Sequence, residues 1–217
     1  MCGRYSFIKT NAKELAERFD LLDLSINVKP DHNIAPLAQV PVILNTSPRS
    51  LTLLRWGLIP YWAKDKAIGN KMINARAETI FEKPSFKDPI SQKRCLILAD
   101  AFFEWKKGGT KKKPYKISLK SQEPFAFAGI WDRWISGGEE ILSCSIVTTE
   151  PNSLIAPIHH RMPVILPKDC EQKWLSRLSR KDIELFLKPF DNSQMSVEPA
   201  LSNNNPLEVP IMASWPS

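Results

Sequence analysis

The sequence lacks the features of a membrane or secreted protein. No apolar run approaches the roughly 18 residues that a membrane-spanning helix needs. Residues 1–6 also lack the apolar stretch of a signal peptide. We therefore expect an intracellular protein that does not insert into a membrane.

Closely spaced cysteines are missing as well. The four cysteines lie far apart along the chain, at Cys2, Cys95, Cys144 and Cys170. This spacing excludes a CxxC redox pair and a zinc ribbon, and in an intracellular chain all four are expected to be thiols. Cys95 and Cys144 stand within apolar runs, so we expect both side chains to be buried in the core.

The remaining composition is that of a globular protein. The 217 residues are 43% hydrophobic and 24% charged, which excludes a disordered or coiled-coil chain. We expect one domain over residues 1–190, followed by a Pro- and Asn-rich tail over residues 191–217. The net charge of +7 suits a polyanionic partner, but charge alone does not separate a nucleic-acid-binding protein from a basic enzyme.

Short strand-like segments outnumber helical ones and do not alternate regularly with them. Apolar runs predict strands over residues 40–44, 51–56, 94–104, 115–119, 125–131, 141–148 and 163–166. Helical spacing predicts a helix over residues 11–22, capped by Asn11, and short helices over residues 77–81, 153–155, 169–175 and 180–187. The pattern predicts an α+β fold around a mixed or antiparallel sheet.

Two Gly-Gly pairs predict hairpin turns, at residues 107–110 and 136–139. Five lysines surround the first of these turns, within residues 106–113. They form either a solvated hairpin tip or a loop that contacts phosphates.

Cys2 occupies a chemically special position. Removal of the initiator Met leaves Cys2 with a free α-amine and a thiol on adjacent carbons, with ordinary pKa values of about 8 and about 8.5. The amine of such a 1,2-aminothiol forms a Schiff base with an aldehyde, and the thiol then closes a five-membered thiazolidine. The alternative is a chance cysteine at a frayed terminus.

Three polar clusters interrupt the predicted strands and turns. The first, Asn-Ala-Arg-Ala-Glu at residues 74–78, fits on its own a capped turn with an exposed ion pair. Glu104 interrupts an apolar strand, so its carboxyl is either paired or held in a cavity with a raised pKa, suited to proton transfer. His159 and His160 are adjacent but have no Cys or carboxylate at metal-ligand spacing, which favours one His as acid or base over a metal site.

Eight short motifs occur in one order along the chain. They are Cys-Gly-Arg-Tyr at residues 2–5, Asn-Ile-Ala-Pro at 33–36, Arg-Trp-Gly-Leu-Ile-Pro-Tyr-Trp at 55–62, Asn-Ala-Arg-Ala-Glu at 74–78, Arg-Cys-Leu…Phe-Glu-Trp at 94–105, Phe-Ala-Gly-Ile-Trp at 127–131, Thr-Thr at 148–149 and His-His-Arg-Met-Pro at 159–163. Together they closely resemble the SOS response-associated peptidase (SRAP) family, whose members include abasic-site-processing proteins. The resemblance implies a barrel-like core of mixed, largely antiparallel sheets flanked by short helices. Leu37 and Ala38 depart from the family pattern, in which Thr or Ser usually follows the Asn-Ile-Ala-Pro motif.

The resemblance also implies a catalytic set. After loss of Met1, Cys2 links covalently to the aldehyde of an abasic site in single-stranded DNA, and Asn74 orients the N-terminal residue. Glu104 carries protons during adduct formation, and His159 assists opening of the sugar ring. The implied DNA contacts are phosphate contacts by Arg4, Arg76 and Arg161, a base-separating wedge at Pro36 and Trp62, and further contacts by Asn33, Trp105, Thr148 and His160.

The implied partner is single-stranded DNA with abasic sites, including junctions with double strands, and neither a metal nor a cofactor is expected. We expect a monomer as the default oligomeric state, located in the bacterial cytoplasm and associated with the nucleoid. Weak abasic-site lyase and autoproteolytic activities are possible side reactions. Two other functions stay open at this point: a non-covalent binder of single-stranded or modified DNA, and a thiol peptidase that uses Cys2.

Overall fold

The computed structural model describes residues 2–23, 26–46, 49–106 and 113–200. Its strands are β1 (Tyr5–Phe7), β2 (Asp31–Ile34), β3 (Gln39–Leu44), β4 (Leu51–Trp56), β5 (Asn74–Arg76), β6 (Arg94–Ala99), β7 (Ala101–Lys106), β8 (Lys113–Leu119), β9 (Phe125–Ser136), β10 (Glu139–Thr149), β11 (Met162–Pro163), β12 (Ile165–Leu166) and β13 (Met195–Pro199). Its α-helices are α1 (Ala12–Phe19), α2 (Lys87–Gln92), α3 (Glu171–Leu175) and α4 (Arg180–Glu184). Short 3₁₀ helices lie at Lys66–Lys71, Ala77–Thr79, Lys168–Cys170 and Asn192–Gln194. The α+β class predicted from the sequence is confirmed.

Five strands close into a barrel. They pair in the order β10–β4–β3–β6–β9, and β9 pairs in turn with β10. Strands β4 and β5 run parallel to β10, whereas the other pairs of this sheet are antiparallel. Gly129 lets β9 approach β6 closely, because a Cβ at this position would lie 2.7 Å from the Cys95 Sγ. The barrel-like core of mixed, largely antiparallel sheets is therefore confirmed.

A second sheet packs against the barrel in the order β13–β8–β7–β1–β2, with every pair antiparallel. The chain passes from the barrel strand β6 to β7 of the second sheet through Asp100 alone. The Asp100 carboxylate accepts hydrogen bonds from the Ser6 hydroxyl and the Ile8 amide, each at 2.5 Å. The single strand predicted over residues 94–104 is thus wrong, because Asp100 turns the chain between two sheets.

Aromatic packing fixes the position of β1, the strand that follows Cys2. The Tyr5 ring packs in T-shaped arrangements against Trp56 and Phe127, with centroid distances of 5.3 and 5.6 Å, respectively. All three side chains are buried, so β1, a strand of the second sheet, is anchored against the core of the barrel. Cys95 and Cys144 are also fully buried, as predicted.

Several predicted helices are shorter in the structure, whereas the one expected over residues 169–175 is helical over residues 168–175, as a 3₁₀ helix followed by α3. Asn11 caps α1 as expected, but this helix ends at Asp20, whose φ of 53° is left-handed and stops further helical turns. Ser179 caps α4 through a capping box. Residues 153–155 form turns and not a helix, because the Asn152 side chain accepts from the backbone within this segment. Among the described residues, no helix is both long enough and apolar enough to span a membrane.

The hairpin predicted at residues 136–139 is confirmed. Gly137 and Gly138 have φ values of 58° and 84°, as a tight two-residue turn requires, and they connect β9 to β10. The turn at residues 107–110, with most of the lysine-rich stretch, lies outside the described residues. The strand expected over residues 163–166 is divided into β11 and β12. In the predicted tail, residues 195–199 add strand β13 to the edge of β8.

Candidate functional site

The segment before β1 runs alongside β7 and brings Cys2 near Glu104. The pairing of β1 with β7 continues toward the N-terminus, where the Phe103 amide donates to the Arg4 carbonyl at 2.9 Å. The Cys2 side chain is fully buried. Burial, together with the neighbouring Glu104 carboxylate, raises the pKa of the Cys2 thiol well above its ordinary value. The thiol is therefore protonated at neutral pH.

Asn74 contacts Cys2 from the other sheet. Strand β5 pairs in parallel with β10 and places Asn74 opposite Ile146. The Asn74 Nδ2 donates to the Cys2 carbonyl oxygen at 2.8 Å. Its Oδ1 is buried and accepts no hydrogen bond from any residue that the structure describes. Asn74 thus fixes the backbone of Cys2 and leaves an acceptor oxygen inside the site.

Glu104 is a buried carboxyl within strand β7, with only 3% of its surface exposed. Burial raises the pKa of Glu104 from 4.5 to about 7, because the low-polarity surroundings penalise the charged form. At neutral pH the protonated and ionised forms are both populated. The group can therefore accept and return a proton, which corresponds to the second of the two alternatives that the sequence left open for Glu104.

His159 completes a row of polar groups beside Cys2. Its Nδ1 lies 3.7 Å from the Glu104 Oε1 and 3.1 Å from the Arg161 amide nitrogen. The exposed ring of His160 lies against it, with ring centroids 4.4 Å apart and planes tilted by 33°. Within the described residues, no cluster of His, Cys, Asp and Glu side chains could hold a metal ion.

Arg161, implied as a phosphate contact, forms an internal ion pair. Its two terminal guanidinium nitrogens donate to the two carboxylate oxygens of Glu78 at 2.6 and 2.9 Å. One of them also donates to the Thr148 carbonyl oxygen at 2.7 Å. The Arg161 side chain is only 11% exposed, and Thr148 is fully buried. In this arrangement Thr148 is inaccessible to a nucleotide, and the Arg161 side chain exposes only a small part of its surface.

The other implied DNA contacts surround this cluster with greater exposure. Arg76 is exposed on β5, two residues beyond Asn74. The Arg4 guanidinium donates to the Asn33 Oδ1 at 3.2 Å, so these two predicted residues contact each other directly. Trp105 is half-buried near the end of β7.

The two residues of the implied wedge lie in segments at one end of strands β3 and β4. Pro36 is half-buried in the turn before β3, and this turn is held by the Leu37 amide, which donates to the Trp56 carbonyl at 2.8 Å. Trp62 is 46% exposed in the segment after β4. Its neighbour Tyr61 is 57% exposed, and the Tyr61 amide donates to Asp132 at 2.9 Å.

A family model described as SOS response associated peptidase (SRAP) matches residues 1–205. The chain belongs to the SRAP family. Similarity to curated SRAP relatives extends from bacteria to vertebrates. The chain is 45% identical to the abasic site processing protein YoaM of Bacillus subtilis, over 90% of this chain and 88% of the relative. It is 31% identical to the abasic site processing protein HMCES of Gallus gallus, over 76% of this chain and 60% of that longer protein.

Solved structures share the SRAP fold of this chain. A protein from Bacteroides thetaiotaomicron superposes with a TM-score of 0.84 at 37% identity, covering 93% of both chains. A protein from Bordetella bronchiseptica superposes with a TM-score of 0.82 at 25% identity, covering 92% of this chain and 100% of the other. The architecture of the barrel and second sheet is therefore common to these proteins.

Sequence reasoning missed one partnership in this SRAP site. The local pattern of residues 74–78 suggested an exposed ion pair within the turn, but Glu78 pairs with Arg161, which lies 83 residues further along the chain. Spacing in the sequence gives no signal for a pair at this separation. Only the folded arrangement of β5, β10 and the turn before β11 brings the two side chains together.

Proposed function

We propose that this chain captures abasic sites in single-stranded DNA as a covalent adduct of Cys2. The observation that carries the proposal is the convergence of four groups at the N-terminus. Asn74 holds the Cys2 carbonyl, Glu104 lies close enough to raise the thiol pKa, and His159 lies 3.7 Å from Glu104. The abasic-site-processing names of the relatives supply the substrate class.

The first chemical step uses the amine that loss of Met1 exposes on Cys2. An abasic site exists mainly as a closed hemiacetal, so a proton must leave the C1′ hydroxyl while the ring oxygen gains one. His159 is of the residue type suited to this exchange. The Cys2 amine then adds to the C1′ aldehyde, and loss of water gives a Schiff base.

The second step closes the ring. The Cys2 thiol adds across the C=N bond, so that sulfur bonds to C1′ and the nitrogen gains a proton. Glu104 can relay this proton, because its pKa of about 7 permits both acceptance and return near neutral pH. Closure traps the imine and opposes β-elimination at the 3′ phosphate. We therefore expect a stable crosslink with only weak lyase activity.

The same proposal assigns DNA recognition to sequence-independent contacts. Arg4 and Arg76 neutralise phosphates, and the exposed ring of Trp62 stacks on or separates bases next to the lesion. Such contacts favour single strands and junctions with duplex DNA. We expect a monomer that acts in the bacterial cytoplasm, at the nucleoid.

A thiol peptidase is less well supported, because burial keeps the Cys2 thiol protonated whereas a peptidase needs a thiolate or a base dedicated to it. The test is a denaturing gel of the protein with single-stranded DNA that carries one abasic site, beside intact DNA. We expect a heat- and detergent-stable shifted band with the abasic strand alone, and none for Cys2→Ala. If Cys2→Ala gives a full-strength band, or if protein shown by intact mass to lack Met1 gives none, the proposal is wrong.

A further inference from the structure

The Arg161 guanidinium is already occupied before any DNA arrives. Both of its terminal nitrogens contact the Glu78 carboxylate, and the Thr148 carbonyl accepts a further hydrogen bond. Hydrogen bonding from Arg161 lowers the pKa of Glu78, so the carboxylate is ionised at neutral pH. Its two oxygens present to Arg161 the same bidentate acceptor geometry that a DNA phosphate would present.

The same arginine is linked to the proposed acid–base residue. The Arg161 amide nitrogen lies 3.1 Å from the His159 Nδ1, and its carbonyl oxygen lies 3.0 Å from the same atom. The Arg161 side chain is 11% exposed, whereas that of Glu78 is 51% exposed. Glu78 therefore reaches in from the surface and holds the arginine whose backbone contacts His159.

We propose that Glu78 is a positioning residue, which holds Arg161 and through it His159 for adduct formation while competing with DNA phosphates for the Arg161 guanidinium. This inference rests on the proposed function of the same site. It assigns to one carboxylate two opposite effects, one on the reaction and one on DNA affinity. A residue that merely stabilises the fold would not separate the two.

Glu78→Gln is the informative substitution. The amide preserves the size of the side chain but removes the charge and one acceptor oxygen, so Arg161 becomes available to a phosphate. We expect binding to DNA to tighten by roughly threefold to tenfold at low salt, with the slope of log K against log salt steeper by about 0.7, the value for one added phosphate contact on a single strand. We expect the adduct-forming rate constant to fall by about tenfold or more, because His159 loses its fixed orientation.

Two assays separate these effects. Binding is measured by fluorescence anisotropy on single-stranded DNA with a tetrahydrofuran site, which has no aldehyde and cannot react. The rate constant is measured in single turnover with a true abasic site at saturating protein. If the wild type forms no adduct, the proposed function is wrong. The anisotropy measurement still tests whether Glu78 competes with phosphate for Arg161.

Glu140→Gln is the matched control, because Glu140 forms an equivalent bidentate pair with Arg133 on the β9–β10 hairpin. We expect this variant to behave as the wild type in both assays. Glu78→Asp keeps the charge but shortens the side chain by one methylene, so it should slow adduct formation without tightening DNA binding. This variant provides the test if Glu78→Gln does not fold. The inference is overturned if a folded Glu78→Gln protein matches Glu140→Gln, or if its affinity and rate fall together.

Discussion

Glu104 should make the stability of the protein depend on pH in a way that Glu104→Gln abolishes. The carboxyl is buried, and its pKa rises from 4.5 to about 7 on folding. This rise corresponds to about 3 kcal/mol of free energy that the folded state loses when Glu104 ionises. The amide of Gln never ionises, so the variant carries no such loss.

The sign follows from proton binding. Between pH 4.5 and about 7 the folded protein keeps the Glu104 proton that the unfolded chain has already released, so stability from this group falls as pH rises. Below that window Glu104 is protonated in both states and contributes no pH dependence. We therefore expect the difference in the free energy of unfolding, Glu104→Gln minus wild type, to increase by about 3 kcal/mol from pH 4 to pH 8.

The assay is chemical denaturation of both proteins at several pH values across this window. Other carboxyls, including Glu171, whose pKa burial also raises, occur in both proteins and cancel in the difference. Glu184→Gln is a suitable control, because Glu184 is an exposed partner of Arg180 and its substitution should leave the difference flat. A difference for Glu104→Gln that stays constant within about 1 kcal/mol would refute the raised pKa and the proton-relay role built on it.

Three further substitutions test other parts of the site. Cys2→Ser should give at most a Schiff base that borohydride traps, and a stable adduct that resists hydride would contradict thiazolidine closure. Asn74→Ala removes the hydrogen bond to the Cys2 carbonyl and should slow adduct formation by about tenfold in single turnover, while the affinity for tetrahydrofuran-site DNA stays within about twofold of wild type. If the rate constant and the affinity fall equally, Asn74 acts in DNA binding instead. Arg76→Ala should weaken that binding and make the salt slope shallower by about 0.7 without lowering the melting temperature, since the side chain is exposed, and an unchanged slope would remove Arg76 from the phosphate contacts.

Local patterns predicted the strands and turns that depend on local chemistry. The strand at Leu51–Trp56 has the predicted bounds, and the Gly137–Gly138 turn follows from the backbone freedom of glycine. The prediction of one strand over residues 94–104 was wrong because apolar residues flank Asp100 on both sides, so the pattern reads as continuous. What divides that run is the contact of Asp100 with Ser6 and Ile8, which lie 94 and 92 residues away in sequence.

In the site, too, some features could be predicted from neighbouring residues, whereas others depend on residues far apart in the sequence. The chemistry of Cys2 and the unusual burial of Glu104 are readable from residue type and neighbours, and the family resemblance supplied Asn74 and His159. The contacts among them are not readable, because β5 must pair in parallel with β10 before Asn74 reaches Cys2. The Glu78–Arg161 ion pair depends on the same strand pairing, and the spacing of the two residues in the sequence does not indicate it.

The burial of Cys2 constrains the order of the chemical steps in the proposed reaction. A thiol whose pKa is raised by burial and by Glu104 is a poor first nucleophile, since little thiolate exists at neutral pH. An amine-first reaction avoids this difficulty, because the Schiff base then holds its electrophilic carbon within ring-closing distance of the sulfur. Closure becomes intramolecular, and proximity offsets the scarcity of thiolate. The features that make Cys2 unsuited to attack a peptide thus suit it to trapping an aldehyde that its own amine has already bound.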